Sequence, residues 1–201
     1  MADIHDIPTP ALVIHAPTVA HNLQKLAEYT AMHRIGVRPH TKTHKSIEMA
    51  RRQLAAGCIG LTVAKVGELE VMAEAYPDGG GDLLLAYPAL DPPRTVRVAE
   101  VARRHTVRVA VDSRFAADQL AAAAQAAGAT IGILVDIDTG MHRTGLQTPE
   151  QAAELAAHVD ATAGLRLDGL FCYPGHVHGP EPERAEALKA VGAILQEALN
   201  L

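Results

Sequence analysis

The sequence predicts an α/β fold, a parallel sheet flanked by helices in the manner of a (β/α) TIM-type barrel, incomplete at about six of eight units. Three observations carry this. Short apolar runs alternate with amphipathic helical stretches along the chain. Glycine, or a Pro/Asp/Gly cluster, punctuates most junctions, as at Gly57, Asp78 to Gly81 and Gly128. Titratable and hydroxyl side chains recur just after the apolar runs, the pole at which parallel α/β folds place their sites.

The strand candidates are 11–15 (ALVIH), 36–41 (GVRPHT), 59–63 (IGLTV), 82–86 (DLLLA), 107–111 (VRVAV), 131–136 (IGILVD) and 168–173 (DGLFCY). A helix candidate follows each, at 17–33, 46–56, 65–76, 92–104, 114–127, 149–159 and 181–199. Strands joined through helices pair in parallel, because the crossover returns the chain to the same end of the sheet. No G-x-G-x-x-G follows the first strand, which argues against a dinucleotide-binding sheet. Setting 11–15 aside, six strand–helix units follow, whereas a closed barrel needs eight and about 250 residues. The alternative is an open α/β sheet. No linker or low-complexity segment divides the chain, so residues 1–201 read as a single, partial barrel domain.

The chain is 48% hydrophobic and 20% charged, which fits a globular domain rather than a disordered one. A formal net charge of −5 gives no support to nucleic-acid binding. Two cysteines, Cys58 and Cys172, form no CxxC or zinc pattern, and both lie in apolar runs that predict buried free thiols. The opening MADIHDIPTP lacks the regions of a signal peptide, and no apolar run approaches the ~20 residues of a membrane span. A soluble, cytoplasmic protein without membrane or nucleic-acid partners is expected.

Three segments carry the chemistry. In Arg38-Pro39-His40-Thr41-Lys42-Thr43-His44-Lys45, a strand period of two would place Arg38, His40, Lys42 and His44 on one face. Cations crowded there would disfavour protonation of Lys42, leaving an amine able to attack an aldehyde. A solvated basic loop or a plain anion site accounts for the same residues. In the segment 136–145 (DIDTGMHRTG), Asp136 and Asp138 share a strand face, Gly140 and Gly145 permit tight turns, and Arg143 can bond a phenolate or carboxylate. A divalent-cation pair or a loop-fixing Asp/Arg pair remains open. In the segment 173–178 (YPGHVH), Tyr173 and His176 suit proton transfer, while His176 and His178 read equally as two metal ligands or ordinary loop histidines. Thr62 and Lys65, Tyr87 and Pro88, and Asp112 end the intervening strands.

Taken in order, DIPTPALVI at 6–14, RPHTKTHKS at 38–46, GLTVAKVGELEVM at 60–72, VDIDTGMHRTG at 135–145 and GLFCYPGH at 169–176 resemble the D-threonine aldolase / D-serine dehydratase family. These are fold-type III, alanine-racemase-like pyridoxal-phosphate (PLP) enzymes. The resemblance implies that Lys42, rather than Lys45, is the Schiff-base lysine. It implies that Arg143 meets the cofactor ring near its phenolic oxygen and that Tyr173 lines the cofactor and substrate site. His176 is a further catalytic candidate, His40 and Asp136 support the cofactor, and Thr62 and Lys65 lie nearby. The implied activity is that of a lyase on β-hydroxy-D-amino acids. Cleavage of Cα–Cβ would give glycine and an aldehyde; loss of the Cα proton and β-hydroxyl would give a keto acid and ammonia. Aldolase is favoured over dehydratase. The alternatives are an amino-acid racemase, a non-catalytic PLP-binding or homeostasis protein, and an inactive fragment. A homodimer is open.

The family's Gly/Ser/Thr-rich phosphate cradle and its C-terminal β-domain, with metal ligands for manganese or zinc, find no counterpart before Leu201. No metal ligand is therefore assigned. The 201-residue chain by itself is expected to bind PLP weakly and to turn over D-threonine and D-serine little or not at all. Assay with added manganese or zinc, alongside size-exclusion chromatography, checks this; robust turnover by a folded monomer would contradict it.

Overall fold

Five segments rich in Leu, Ile and Val pair side by side in sequence order and all in parallel. They are β1 (Leu61–Val63), β2 (Asp82–Leu85), β3 (Thr106–Val111), β4 (Ile131–Asp136) and β5 (Leu165–Phe171). The structure, a computed structural model, describes residues 3–201. Among the described residues seven α-helices accompany the sheet: α1 (Ala16–His33), α2 (Ile47–Ala55), α3 (Val66–Ala73), α4 (Pro92–Ala102), α5 (Arg114–Ala127), α6 (Pro149–Asp160) and α7 (Glu183–Asn200). Local chemistry sets several helix starts. Ser46, Asp91, Ser113 and Thr148 each accept a bond from the backbone N–H three residues on, capping α2, α4, α5 and α6. Gly128 ends α5 at φ +63°, a left-handed conformation that glycine adopts without steric cost.

One face of the sheet packs on the helices. Leu83, Leu85, Val107, Val109, Val111, Ile131, Ile133 and Val135 are buried there, against helix residues such as Leu69, Val98, Leu120 and Leu155. Truncating such a residue to Ala costs about 2–5 kcal/mol, so this layer holds the sheet to its helices.

Two strand candidates fare differently. The segment 11–15 is not a strand: it pairs with nothing among the described residues, and Leu12 is 93% exposed. A strand candidate without a neighbour has no ladder to enter. The segment 36–41 runs beside β1 but forms one parallel bridge, His40 to Thr62, and then coils into a 3-10 turn over Thr41–Thr43. Pro39 accepts from the Thr62 N–H but has no N–H of its own to return, so the ladder cannot continue through it. The last strand begins earlier than expected, at Leu165, where it already pairs with Ile131, and a bulge at Asp168 shifts its register between Ile133 and Leu134. The helix layer is incomplete too, since α1 buries none of its residues.

The other sheet face carries ions. Arg38 holds Asp82 through Nε (2.6 Å) and Nη2 (3.0 Å). Arg108 bridges Asp82 and Asp168, and Arg166 also clasps Asp168, with an Nη2 contact of 2.7 Å. This chain of five charges crosses the sheet near the N-terminal ends of its strands. Glycine makes room for it: a Cβ on Gly132 would lie 2.4 Å from an Asp168 carboxylate oxygen, and one on Gly60 would lie 2.8 Å from an Asp82 oxygen. Burial pushes both Asp82 and Asp168 up, but the guanidinium contacts outweigh it and hold both below the usual carboxylate range. A depressed folded-state pKa contributes stability above the unfolded value of about 3.9, lost as pH falls through the folded value. Asp82→Asn should therefore cost about 2 kcal/mol at pH 7, with the gap to wild type narrowing below about pH 4. Urea unfolding across pH measures this; a gap independent of pH would refute the assignment.

Candidate active site

Parallel pairing brings the C-terminal ends of all strands to one rim. On one flank stands the lysine segment. Lys42 lies exposed on the 3-10 turn, and its backbone N–H donates to His40 Nδ1 at 3.4 Å. Desolvation, then the nearby Lys42 charge, lowers the His40 pKa, so this imidazole is neutral at neutral pH. Lys45, the rival amine, pairs with Glu68, which also accepts from the Ala64 N–H at 2.8 Å. Lys42 has no carboxylate partner among the described residues.

The expected single cationic face does not form. Arg38 points to Asp82 in the ion chain, Lys42 sits on a turn rather than a strand, and His44 Nδ1 accepts from the Ser46 N–H at 3.1 Å. The period of two fails because the extended backbone ends at His40.

On the other flank, the segment after β4 folds back on itself. The Leu146 N–H donates to the Asp136 carbonyl and the Asp138 N–H to the Leu146 carbonyl, both at 2.9 Å. Gly145, at φ +104°, permits this; a Cβ there would lie 2.5 Å from the Asp138 nitrogen. Asp138 organises the interior of the loop. Its carboxylate accepts from the backbone N–H of Gly140 (2.9 Å) and His142 (3.0 Å) and from His142 Nδ1 (2.8 Å). Burial opposes its charge, but these donors bring its pKa down to about 2. Asp138 thus serves the loop and forms no cation pair with Asp136: β4 ends at Asp136, and the shared strand face expected from the sequence ends with it. Asp136 is buried, which raises its pKa; Thr144 bonds it, while Asp112 raises and Arg143 lowers the value further. The Asp112 carboxylate anchors the loop through the Gly145 N–H at 3.2 Å.

β5 delivers the third group. The Arg143 guanidinium lies over the Tyr173 ring, 4.3 Å from its centroid, a cation–π contact. A Cβ on Gly140 would lie 2.9 Å from His176 Nε2, so the imidazole rests on the β4 loop. His176 Nδ1 is buried without a partner among the described residues. Cys58 and Cys172 are free and half-buried rather than fully buried, and burial pushes both thiols up.

The rim therefore brings together Asp136, Arg143, Tyr173 and His176, and separately His40 and Lys42. β1, β2 and β3 lie between the two groups, and among the described residues no hydrogen bond or ion pair joins them. No cluster of three or more His, Cys, Asp or Glu able to hold a metal occurs among the described residues. Sequence reasoning missed Glu68, which ties Lys45 to β1, and the Arg38–Asp82–Arg108–Asp168–Arg166 chain. The latter left a signal: charged residues inside otherwise apolar strands, opposite glycines.

A parallel α/β sheet with a lysine and an arginine–tyrosine pair on its C-terminal rim defines a class, and comparison with known proteins places the chain within it. A family model described as alanine racemase, N-terminal domain, matches residues 14–200, and the chain belongs to that family. It is 33% identical to a 3-hydroxy-D-aspartate aldolase of Paracoccus denitrificans over 98% of this chain and 51% of the relative. It is 31% identical to a D-threo-3-hydroxyaspartate dehydratase of Delftia sp. over 91% of this chain and 47% of the relative. Among solved structures, a D-threonine aldolase from Filomicrobium marinum superposes with a TM-score of 0.90 at 34% identity, covering 98% of this chain and 54% of that one. The chain spans about half the length of the curated relatives it matches. These three relatives are aldolases and a dehydratase, and an alanine racemase of Mycolicibacterium smegmatis also matches, at 30% identity over 85% of this chain and 43% of the relative. No helix among the described residues is long and apolar enough to cross a membrane.

The Asp138 geometry predicts a loop-specific lesion. Asp138→Ala removes the acceptor of three bonds and should cost about 2–4 kcal/mol. Amide hydrogen exchange at Gly140 and His142 should accelerate while the β3 amides stay protected at low denaturant. Unchanged exchange at both would sink the role given to Asp138.

Proposed function

We propose that the protein carrying this chain is a PLP-dependent lyase acting on β-hydroxy-D-amino acids, with Lys42 as the cofactor-binding amine. The observation that carries the reading is that one rim holds both an amine free of carboxylates, Lys42, and, across the sheet from it, the Arg143–Tyr173 contact. These residues fit the aldehyde and ring end of the cofactor. For its phosphate end, residues 174–201 offer a loop and α7 but no Ser or Thr.

Bound at this rim, PLP supplies an electron-accepting ring that stabilises negative charge at Cα. Lys42 would hold the aldehyde carbon, and neutral His40 beside it adds no competing positive charge. Arg143 would hold the ring's phenolic oxygen, to which a guanidinium gives a charge-assisted hydrogen bond. Asp136, bonded by the Thr144 side chain, places a carboxyl within electrostatic reach of Arg143. Tyr173 and His176 hold or pass the proton at Cα or at the substrate's β-hydroxyl, both being groups that can donate and accept. His176 Nδ1, buried without a partner, is the position at which a proton acceptor or donor is lacking. Retro-aldol cleavage is the leading reaction. Elimination of the β-hydroxyl is the second, favoured by the resemblance to the dehydratase. A metal that polarises the β-hydroxyl would need ligands from outside the described residues.

Borohydride reduction after addition of PLP, followed by peptide mapping, is expected to label Lys42. Label mainly on Lys45 or Lys65, or a visible absorption band that survives in Lys42→Ala, would overturn the assignment. Arg143→Ala should weaken cofactor binding about tenfold or more, the worth of one charge-assisted hydrogen bond. Assays with D-threonine, D-serine and 3-hydroxy-D-aspartate then separate aldehyde release from ammonia release.

A further inference from the structure

Beside the candidate active site, between the C-terminal ends of β1 and β2 and the first turns of α3 and α4, lies a cavity of about 550 Å3. Small-molecule sites measure roughly 300–1,000 Å3. Neither Lys42 nor Arg143 nor Tyr173 lines it. Its walls have two characters. Val66 and Leu85, both buried, make an apolar floor, and the half-exposed Tyr87 ring stands at one side. Three cations, Lys65, Arg94 and Arg97, also line it, and among the described residues no carboxylate does.

The two guanidiniums are oriented from outside the cavity. Glu70 takes Arg97 through Nε (2.7 Å) and Nη2 (2.5 Å), leaving Nη1 uncommitted. Asp91 takes Arg94 through Nε, leaving both of its terminal nitrogens uncommitted. Arg97 Nη2 lies close to Gly67, 3.8 Å from where a Cβ there would stand, an ordinary contact distance. Lys65 has no carboxylate partner among the described residues. Two carboxylates against three cations leave one positive charge in excess beside an apolar floor.

We propose that this cavity is a binding site, separate from the Lys42 rim, for a small aromatic carboxylate. A free inorganic anion would satisfy the donors but leave Val66, Leu85 and Tyr87 wetted. A neutral aromatic would cover the floor but strip water from Lys65 without replacing it, at a cost in desolvation. A ring bearing a carboxylate meets both needs: the ring lies on Val66 and Leu85 against Tyr87, and the carboxylate faces Lys65 and the free edges of Arg94 and Arg97.

The test uses the full chain, isotope-labelled, titrated with benzoate, with benzamide as its neutral counterpart and with inorganic phosphate. Saturable amide shifts are expected with benzoate at 64–67, 85–87 and 89, with benzamide at least tenfold weaker and phosphate not saturating. Lys65→Glu and Tyr87→Ala, both at exposed positions, should each weaken benzoate at least fivefold while the remaining spectrum is unchanged. Equal affinity for benzoate and benzamide would overturn the proposal. So would benzoate affinity insensitive to Lys65→Glu, full competition by phosphate at equal affinity, or benzoate shifts centred on Arg143 and Tyr173.

Discussion

Parallel pairing obliges each strand to end on the same side of the sheet, and this constraint places everything else in the molecule. Because His40 bridges Thr62 in the same sense that β1 meets β2 and β4 meets β5, the turns after these strands share a rim. Lys42, Asp112, Asp136, Arg143 and Tyr173 are spread over more than a hundred residues of sequence, yet the ladder delivers all of them there. The helices that make this pairing possible also cover one face of the sheet with Leu, Ile and Val, so the element that fixes the rim is also the one that buries the core.

The opposite sheet face is divided by function along its length. Near the strand starts, every charge has an ionic partner: Arg38, Asp82, Arg108, Asp168 and Arg166 form a chain in which each of the two carboxylates meets two of the three guanidiniums. At the strand ends the charges are not all paired in this way. Lys42 lacks a carboxylate, Arg143 rests on an aromatic ring, and Asp136 is buried with its pKa raised. Charges that already have ionic partners are held in place by them, whereas groups without such partners can still bind a ligand. The contrast between the two ends is a physical reason to place chemistry at the rim. Gly60 and Gly132 belong to the first arrangement, and Gly145 to the loop of the second.

Much of the fold was legible in the sequence because its signals are local. The run IGILVD at 131–136 became β4 and the run at 114–127 became α5 with unchanged limits, the latter between a serine cap and a left-handed glycine. The expectations that failed depended on neighbours. ALVIH at 11–15 has strand composition but no strand beside it. His40 and Lys42 were placed on one face by a periodicity that lapses at the turn. Asp138 was expected to share a strand face with Asp136, but β4 ends at Asp136, and the Asp138 carboxylate is taken up by two backbone amides and an imidazole supplied by its own loop.

The sequence by itself determined the alternation of strands and helices, the order of the motifs and the residue types gathered after each strand. These follow from hydrophobic period, capping chemistry and turn residues, which act within a few positions of the chain. It also carried the family resemblance, since the motif segments stand in order through most of the chain. The tertiary structure alone decided which charges neutralise each other, which of two nearby lysines is held by a carboxylate, and how far apart the two halves of the rim stand. Arg38 and Asp82 are 44 residues apart and Lys45 and Glu68 are 23 apart. Whether such groups meet depends on strand register and on the space that a missing Cβ leaves, and neither quantity exists until the sheet has formed.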